Sequence, residues 1–163
     1  DSARRRRRPA GAIIMTRIIM MMMGDRTVTF TGAGRDSELE GMSAIFGVTD
    51  AESGVSVEVM LTPYSDRVVG VVTENGGLGT VLSAKRELGL EGKEPTYTVA
   101  TLMGKRGDDA VVESVYARAL VAALPPADTR SVLACICILH PSPSLFRAVV
   151  AAVAEHGAAA GVW

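Results

Sequence analysis

Apolar residues alternate with polar ones over much of the chain, and a period of two predicts β-strands. The first clear case follows Arg26, where Val28 and Phe30 are flanked by threonines. Residues 43–48 and 55–61 carry further strand patterns, and turn-forming residues separate the three segments. The first part of the chain therefore predicts three strands.

The middle of the chain continues this β-pattern. Residues 68–73 are apolar on both faces, which is typical of a strand covered above and below. Residues 74–77, Glu-Asn-Gly-Gly, predict a hairpin turn, so the strand that continues at residues 81–82 is expected to pair with the strand before it. Residues 97–103 predict one more strand.

Two helices are predicted in the last third of the chain. Asp108 or Asp109 is expected to cap the first helix, whose apolar stripe has a period of 3.6 residues and ends before Pro125. Ser142 is expected to cap the second helix, which ends at Gly157. Two helices can cover only one face of a large sheet. We therefore predict an α+β fold, with a mainly antiparallel sheet of about six to seven strands, two helices on one face, and the other face used for dimerisation.

The second predicted helix and the strand at residues 132–139 are each apolar on more than one side, so each is expected to need a neighbour on both sides. The second helix is apolar nearly all round, and Arg147 is its one charge between residues 145 and 154. The strand predicted at residues 132–139 is apolar on both faces. One face carries Val132, Ala134, Ile136 and Ile138, and the other carries Leu133, Cys135, Cys137 and Leu139. One of these faces is expected to meet the helices and the other a partner subunit.

The composition fits one folded domain. The chain has 163 residues, of which 48% are apolar and 21% charged, and this length supports one core better than two. We predict a single domain over residues 25–163, preceded over residues 1–24 by an extension that is disordered or was added by cloning. The formal net charge of -1 and the 4% of aromatic residues argue against binding of the whole protein to nucleic acid or to an anionic membrane.

Candidate chemistry is sparse. The sequence Gly-Gly-Leu-Gly-Thr at residues 76–80 lacks the lysine of a phosphate-binding loop and precedes a strand rather than a helix. Cys135, Cys137 and His140 have the side chains of a zinc site, but no fourth ligand is apparent, and buried packing explains both cysteines more simply. His156, the other histidine, has no nucleophile beside it in the sequence. We predict no enzymatic activity, no metal and no cofactor, and the cysteine spacing favours a reducing compartment over a disulfide.

The order of these features resembles the proteasome assembly chaperone 3 family. Residues 68–82, Val-Val-Gly-Val-Val-Thr-Glu-Asn-Gly-Gly-Leu-Gly-Thr-Val-Leu, are similar to the central hairpin of that family. The later similarities, in order, are a strand at residues 95–104, a helix at 109–124, a strand at 130–139 and the ending Val162-Trp163. The resemblance covers about residues 54–163, which is two-thirds of the chain.

The resemblance implies a chaperone for assembly of the proteasome core particle. Such a protein pairs with a subunit like proteasome assembly chaperone 4, or with itself, and binds proteasome α-subunits while the α-ring forms. It is released as β-subunits join. It requires no nucleic acid and no membrane, and its expected location is the cytoplasm, with the nucleus as a second location. The predicted partner-binding residues are Glu74, Asn75, Gly76, Gly77, Leu133, Cys135, Cys137, Phe146 and Val150.

Three other interpretations stay open at this point. The main alternative is a dimeric ligand-binding or regulatory α+β domain unrelated to the proteasome. A metal enzyme would use Cys135, Cys137 and His140. A nucleic-acid-binding protein would use the five arginines at residues 4–8, although a short terminal run of like charges is more often a solvated arm.

Overall fold

The computed structural model describes residues 28–31, 43–89 and 93–163. The predicted extension at residues 1–24 lies outside this part of the chain. The strands are β1 (Val28–Thr31), β2 (Ser43–Thr49), β3 (Ser56–Pro63), β4 (Arg67–Thr73), β5 (Thr80–Glu87), β6 (Thr96–Met103) and β7 (Ser131–Cys137), and the helices are α1 (Val111–Ala123) and α2 (Pro143–Ala159).

The seven strands form one sheet in the order β1-β2-β3-β4-β7-β5-β6. Neighbouring strands are antiparallel except for β4 and β7, which are parallel. The predicted α+β class with a mainly antiparallel sheet is therefore confirmed. No helix in the described part of the chain is both long enough and apolar enough to span a bilayer.

The predicted hairpin between β4 and β5 is wrong, because β7 lies between these two strands and pairs with both. Residues 74–79 do reverse the direction of the chain, as their glycines predict. A turn sequence fixes the direction of the next strand but not its distance from the previous one. The later strand β7 is apolar on both faces, and the central position that it takes between β4 and β5 buries more of its surface.

Both helices pack on the same face of the sheet, here called the helix face. Its apolar side chains on β2, β3, β4, β5 and β7 are buried and form the core together with those of the helices, whereas those on β6 are half-buried. Gly70 of β4 allows a close approach, since a Cβ at this position would lie 3.0 Å from Cδ1 of Leu120 on α1. The largest fully buried side chains of the core include Phe46, Leu61, Leu82, Ile136 and Leu145.

The two helices begin differently. Ser142 caps α2 as predicted, because its Oγ accepts a hydrogen bond from the backbone N–H of Leu145 at 3.1 Å. The predicted cap of α1 is wrong. Asp108 and Asp109 lie in a short 3₁₀ turn, Gly107–Ala110, and no side chain caps α1 itself. Both acids still lie at the amino end of the helix, where the helix dipole favours negative charge.

Two arginines of the sheet and its loops bind backbone carbonyls that follow the carboxyl-terminal ends of the helices. Arg86 of β5 donates to the carbonyl oxygens of Leu124 (2.7 Å) and Pro125 (2.9 Å) after α1, which satisfies carbonyls that a helix end leaves free. Arg130 pairs with Asp128 and donates to the carbonyl oxygen of Val162 at 2.9 Å. The carboxyl-terminal turn is thereby fixed to the loop before β7.

The helix α2 continues past Gly157 to Ala159, so the predicted end at Gly157 is wrong. Gly157 has a packing role instead. A Cβ at this position would lie 2.0 Å from Cζ2 of Trp163. The indole ring therefore occupies the space that a side chain at position 157 would need.

Candidate functional site

The face of the sheet opposite the helices has no cover from any described element, and we call it the open face. Strand pairing aligns one apolar residue from each of six neighbouring strands into a continuous row across it. This open-face row consists of Ile45, Met60, Val71, Cys135, Val81 and Met103. Four of these side chains are half-buried, Cys135 is buried, and Met103 at the edge is exposed.

A second, shorter line of side chains lies beside the row. Val69 and Leu133 are neighbours on β4 and β7, and Leu133 is also paired with Ser83 of β5. At the end of the sheet near β2, the hydroxyl of Ser43 donates to that of Thr62 at 3.1 Å. The open face is therefore apolar at its centre and polar toward its side, which is the pattern of a protein–protein interface.

The predicted residues of β7 lie on this face. Leu133 is half-buried, Cys135 is 6% exposed and Cys137 is half-buried. Burial raises the pKa of the Cys135 thiol, so this side chain stays neutral at physiological pH and packs as a small apolar group. Leu133 and Cys137 thus lie on the same face as the open-face row, of which Cys135 is a member.

The predicted residues of the loop after β4 form one corner of the same surface. The carboxylate of Glu74 accepts hydrogen bonds from the backbone N–H groups of Leu139 (2.7 Å) and His140 (2.9 Å) and also contacts Nδ1 of His140. The hydrogen bond with the His140 ring is the main reason why the pKa of Glu74 is lowered. The loop is therefore tied to the segment that follows β7.

Further hydrogen bonds within the loop fix its shape. Asn75 accepts a hydrogen bond from the N–H of Gly77 at 2.9 Å and one from the Cys137 thiol at 3.2 Å. Thr73 donates to the carbonyl oxygen of Gly77 at 2.9 Å. A cavity of about 460 Å³ lies between this loop and the ends of β2 and β3, with Gly47 and Glu58 in its lining. The loop and the open face thus border one recess.

The two predicted residues of α2 belong to a different surface. Phe146 and Val150 are half-buried on the helix side of the sheet, and the ring of Phe146 packs edge-to-face against Tyr116 with centroids 5.1 Å apart. They cannot share one site with Leu133, because the sheet lies between them. The apolar character of α2 arises from packing on both α1 and the sheet.

The zinc ligands considered from the sequence are engaged elsewhere. The Cys137 thiol bonds to Asn75 and the His140 ring to Glu74. Within residues 28–31, 43–89 and 93–163, no group of three or more histidine, cysteine or carboxylate side chains is placed to hold a metal ion. The described geometry gives no support to a metal site.

Most of the open-face row was not identified from the sequence. Ile45, Met60, Val71 and Val81 occupy the alternate positions of predicted strands, which is a detectable signal. Their alignment depends on the registers between strands and on the central place of β7, and neither follows from the pattern within a single strand.

Comparison with known proteins supplies the remaining observation. A profile of the family described as "Proteasome assembly chaperone 3" matches residues 71–156, which is just over half of the chain. A solved structure described as "Crystal Structure of a Novel Chaperone Complex for Yeast 20S Proteasome Assembly" contains a similar chain, with a TM-score of 0.52 and 17% sequence identity over 70% of this chain and 97% of that one. Among curated protein sequences, none matches this chain.

Proposed function

Since the chain belongs to the proteasome assembly chaperone 3 family, we propose that it pairs with a related subunit through its open face and that the pair binds proteasome α-subunits while the α-ring forms. The family consists of chaperones for proteasome assembly and not of enzymes, which is consistent with our prediction of no enzymatic activity. The open-face row is the observation that carries the proposal.

The physical case for pairing rests on the uncovered centre of the sheet. The apolar side chains of the row other than Cys135 are partly exposed to water. Burying this area against a second apolar sheet would stabilise the pair by roughly 25 cal/mol per Å². Two sheets pack face to face at about 10 Å, so side chains from both faces interdigitate. A related subunit with the same fold presents a surface of the required kind, and a second copy of this chain is the alternative partner.

Pairing also accounts for the polar groups at the side and the corner of the open face. An interface with an apolar centre and a polar rim excludes water from the centre, and the rim adds hydrogen bonds. The loop formed by residues 74–77 lies at the corner of the open face and is held by Glu74 and Asn75. It supplies fixed polar groups to the rim, as the predicted partner-binding role of these residues requires.

The proposed mechanism is templating. The rigid pair holds α-subunits side by side. Part of the rotational and translational entropy that their association costs is therefore lost before the ring closes. Arrival of the β-subunits then releases the pair. We place this activity in the domain at residues 25–163 and in the cytoplasm or nucleus, and it requires no nucleotide, metal or covalent step.

The pairing test mixes the purified chain with the related subunit and measures the mass of the complex by size-exclusion chromatography with light scattering. The wild-type chain is expected to form a stable dimer. Leu133→Asp places a charge at the centre of the open face and is expected to remain folded but to lose at least about tenfold in affinity, since an interface centre does not tolerate an unpaired charge.

The matched control is Leu88→Asp, which adds the same charge at an exposed position after β5, outside the open face. It is expected to pair as the wild type does. Equal pairing by the Leu133→Asp variant and the wild type would show that the open face is not the interface.

A further inference from the structure

A groove lies between the first turns of α1 and α2, on the helix side of the sheet. Its volume is about 350 Å³, and its lining includes Val111, Val115, Tyr116, Pro141 and Phe146. Val111 and Val115 are large apolar side chains at the start of α1, yet they are 55% and 46% exposed. No described element covers them.

The floor of the groove is aromatic and firmly placed. Tyr116 is 3% exposed and packs edge-to-face against Phe146. Its hydroxyl is buried and has no hydrogen-bond partner among the described residues. Burial, together with the negative charges of Asp50 and Glu74, raises the pKa of Tyr116 to about 12. The floor is therefore a neutral phenol in a region of negative potential.

Asp50 fixes the start of α2, which forms one wall of the groove. Its carboxylate accepts hydrogen bonds from the hydroxyls of Ser142 (3.2 Å) and Ser144 (2.9 Å) at the start of α2, and from Ser53 in its own turn. These hydrogen bonds, of which the one from Ser53 is the strongest influence, lower the pKa of Asp50 to about 2. The carboxylate is thus charged under all physiological conditions, and it fixes the wall formed by α2.

The whole end of the sheet that carries the groove is acidic. The strand directions place the segments that follow β2, β4, β6 and β7 at this end, together with the first turns of both helices. Lys105 pairs with the buried Glu113 at 2.9 Å, which leaves the remaining acids in excess. The acidic residues of this end are Asp50, Glu52, Glu74, Asp108, Asp109 and Glu113, and the basic residues are Lys105, Arg106, Arg147 and His140, whose ring contacts Glu74.

We propose that this groove binds an extended segment of a partner protein, one that inserts an aromatic or large aliphatic side chain and carries lysine or arginine beside it. The apolar walls select the inserted side chain, and the acidic charge of this end of the sheet, where Glu52, Asp108 and Asp109 are exposed, favours the basic neighbours. This site goes beyond the pairing surface, because the groove lies on the helix side and the open face on the other side of the sheet.

The test uses three short peptides as probes. They are acetyl-Gly-Lys-Phe-Lys-Gly-amide, its counterpart with glutamates in place of the lysines, and its counterpart with alanine in place of the phenylalanine. Each is titrated into the isotopically labelled full chain while the backbone amide resonances are followed by NMR. The lysine–phenylalanine peptide is expected to shift the resonances of Val111, Val115 and Phe146 in a saturable way, and to bind more weakly at high salt.

Val115→Arg provides the site-directed arm of the test. The change fills the groove and repels a basic occupant, and the exposed position of Val115 leaves the core intact, so we expect an unchanged melting temperature and binding weaker by about tenfold or more. Leu88→Arg adds the same side chain at the opposite end of the sheet and is expected to bind like the wild type.

Several outcomes would overturn the proposal. They are no saturable shift at the groove, equal binding of all three peptides, or equal binding by the Val115→Arg variant. Groove resonances that depend on protein concentration without any peptide would instead identify a second copy of this chain as the occupant. None of these results depends on pairing through the open face, so the two proposals fail separately.

Discussion

Ile136→Asp is expected to make the protein insoluble. Ile136 is 0% exposed and lies near the end of β7, on the helix face, where it pairs with Val72 of β4 and Thr80 of β5. The change removes a large buried side chain, which costs about 2–5 kcal/mol, and it buries a carboxyl group that has no partner, which costs several kcal/mol more. The sum is comparable to the whole stability of an ordinary domain, about 5–15 kcal/mol.

Circular dichroism and the soluble yield after expression measure this effect, and Leu133→Asp is the matched control. Leu133 lies on the same strand with the opposite parity, so its side chain projects from the open face. We expect this second variant to be soluble, with the spectrum of the wild type. If both variants unfold, or if both stay folded and paired, the assignment of the two faces is wrong.

Gly79→Ala is expected to lower the free energy of unfolding by about 3 kcal/mol or more. Gly79 has a φ of +64°, and a Cβ at this position would lie 2.1 Å from the carbonyl oxygen of Ile136. A left-handed backbone costs a residue other than glycine about 1–2 kcal/mol. The contact with backbone adds more, since β7 must move away before the methyl group fits.

Gly76→Ala separates these two contributions. Gly76 has a similar φ of +77°, but a Cβ there would have no atom within 4 Å. This variant is expected to lose only the conformational part, about 1–2 kcal/mol. Urea unfolding of both variants gives the difference. Equal losses would mean that the turn does not approach β7 as closely as described.

The fold class could be predicted because each strand and helix carries its own period. The alternation along β3 and β7 and the apolar stripe of α1 are local signals, and Ser142 caps α2 through a contact three residues away. The neighbour of each strand is a long-range property. The residues at 74–77 look like a hairpin turn, and only the competition for the centre of the sheet places β7 between β4 and β5.

The candidate site could be predicted only in part, because it too depends on how the strands pair. The sequence of β7 separates Leu133, Cys135 and Cys137 from Ile136, although it does not show which set faces the helices. The row that joins Cys135 to Ile45 and Met103 becomes visible only when six strands are in register. Phe146 and Val150 were assigned to the same partner surface because α2 is apolar all round, and the structure instead places them beside α1.

Affinity purification of the tagged chain from a native lysate of its source organism tests the central claim most directly. We expect recovery of a related chaperone subunit together with proteasome α-subunits, and without mature β-subunits, because the chaperone is proposed to leave as β-subunits join. The absence of α-subunits under mild conditions, or recovery of complete core particles that contain mature β-subunits, would contradict it.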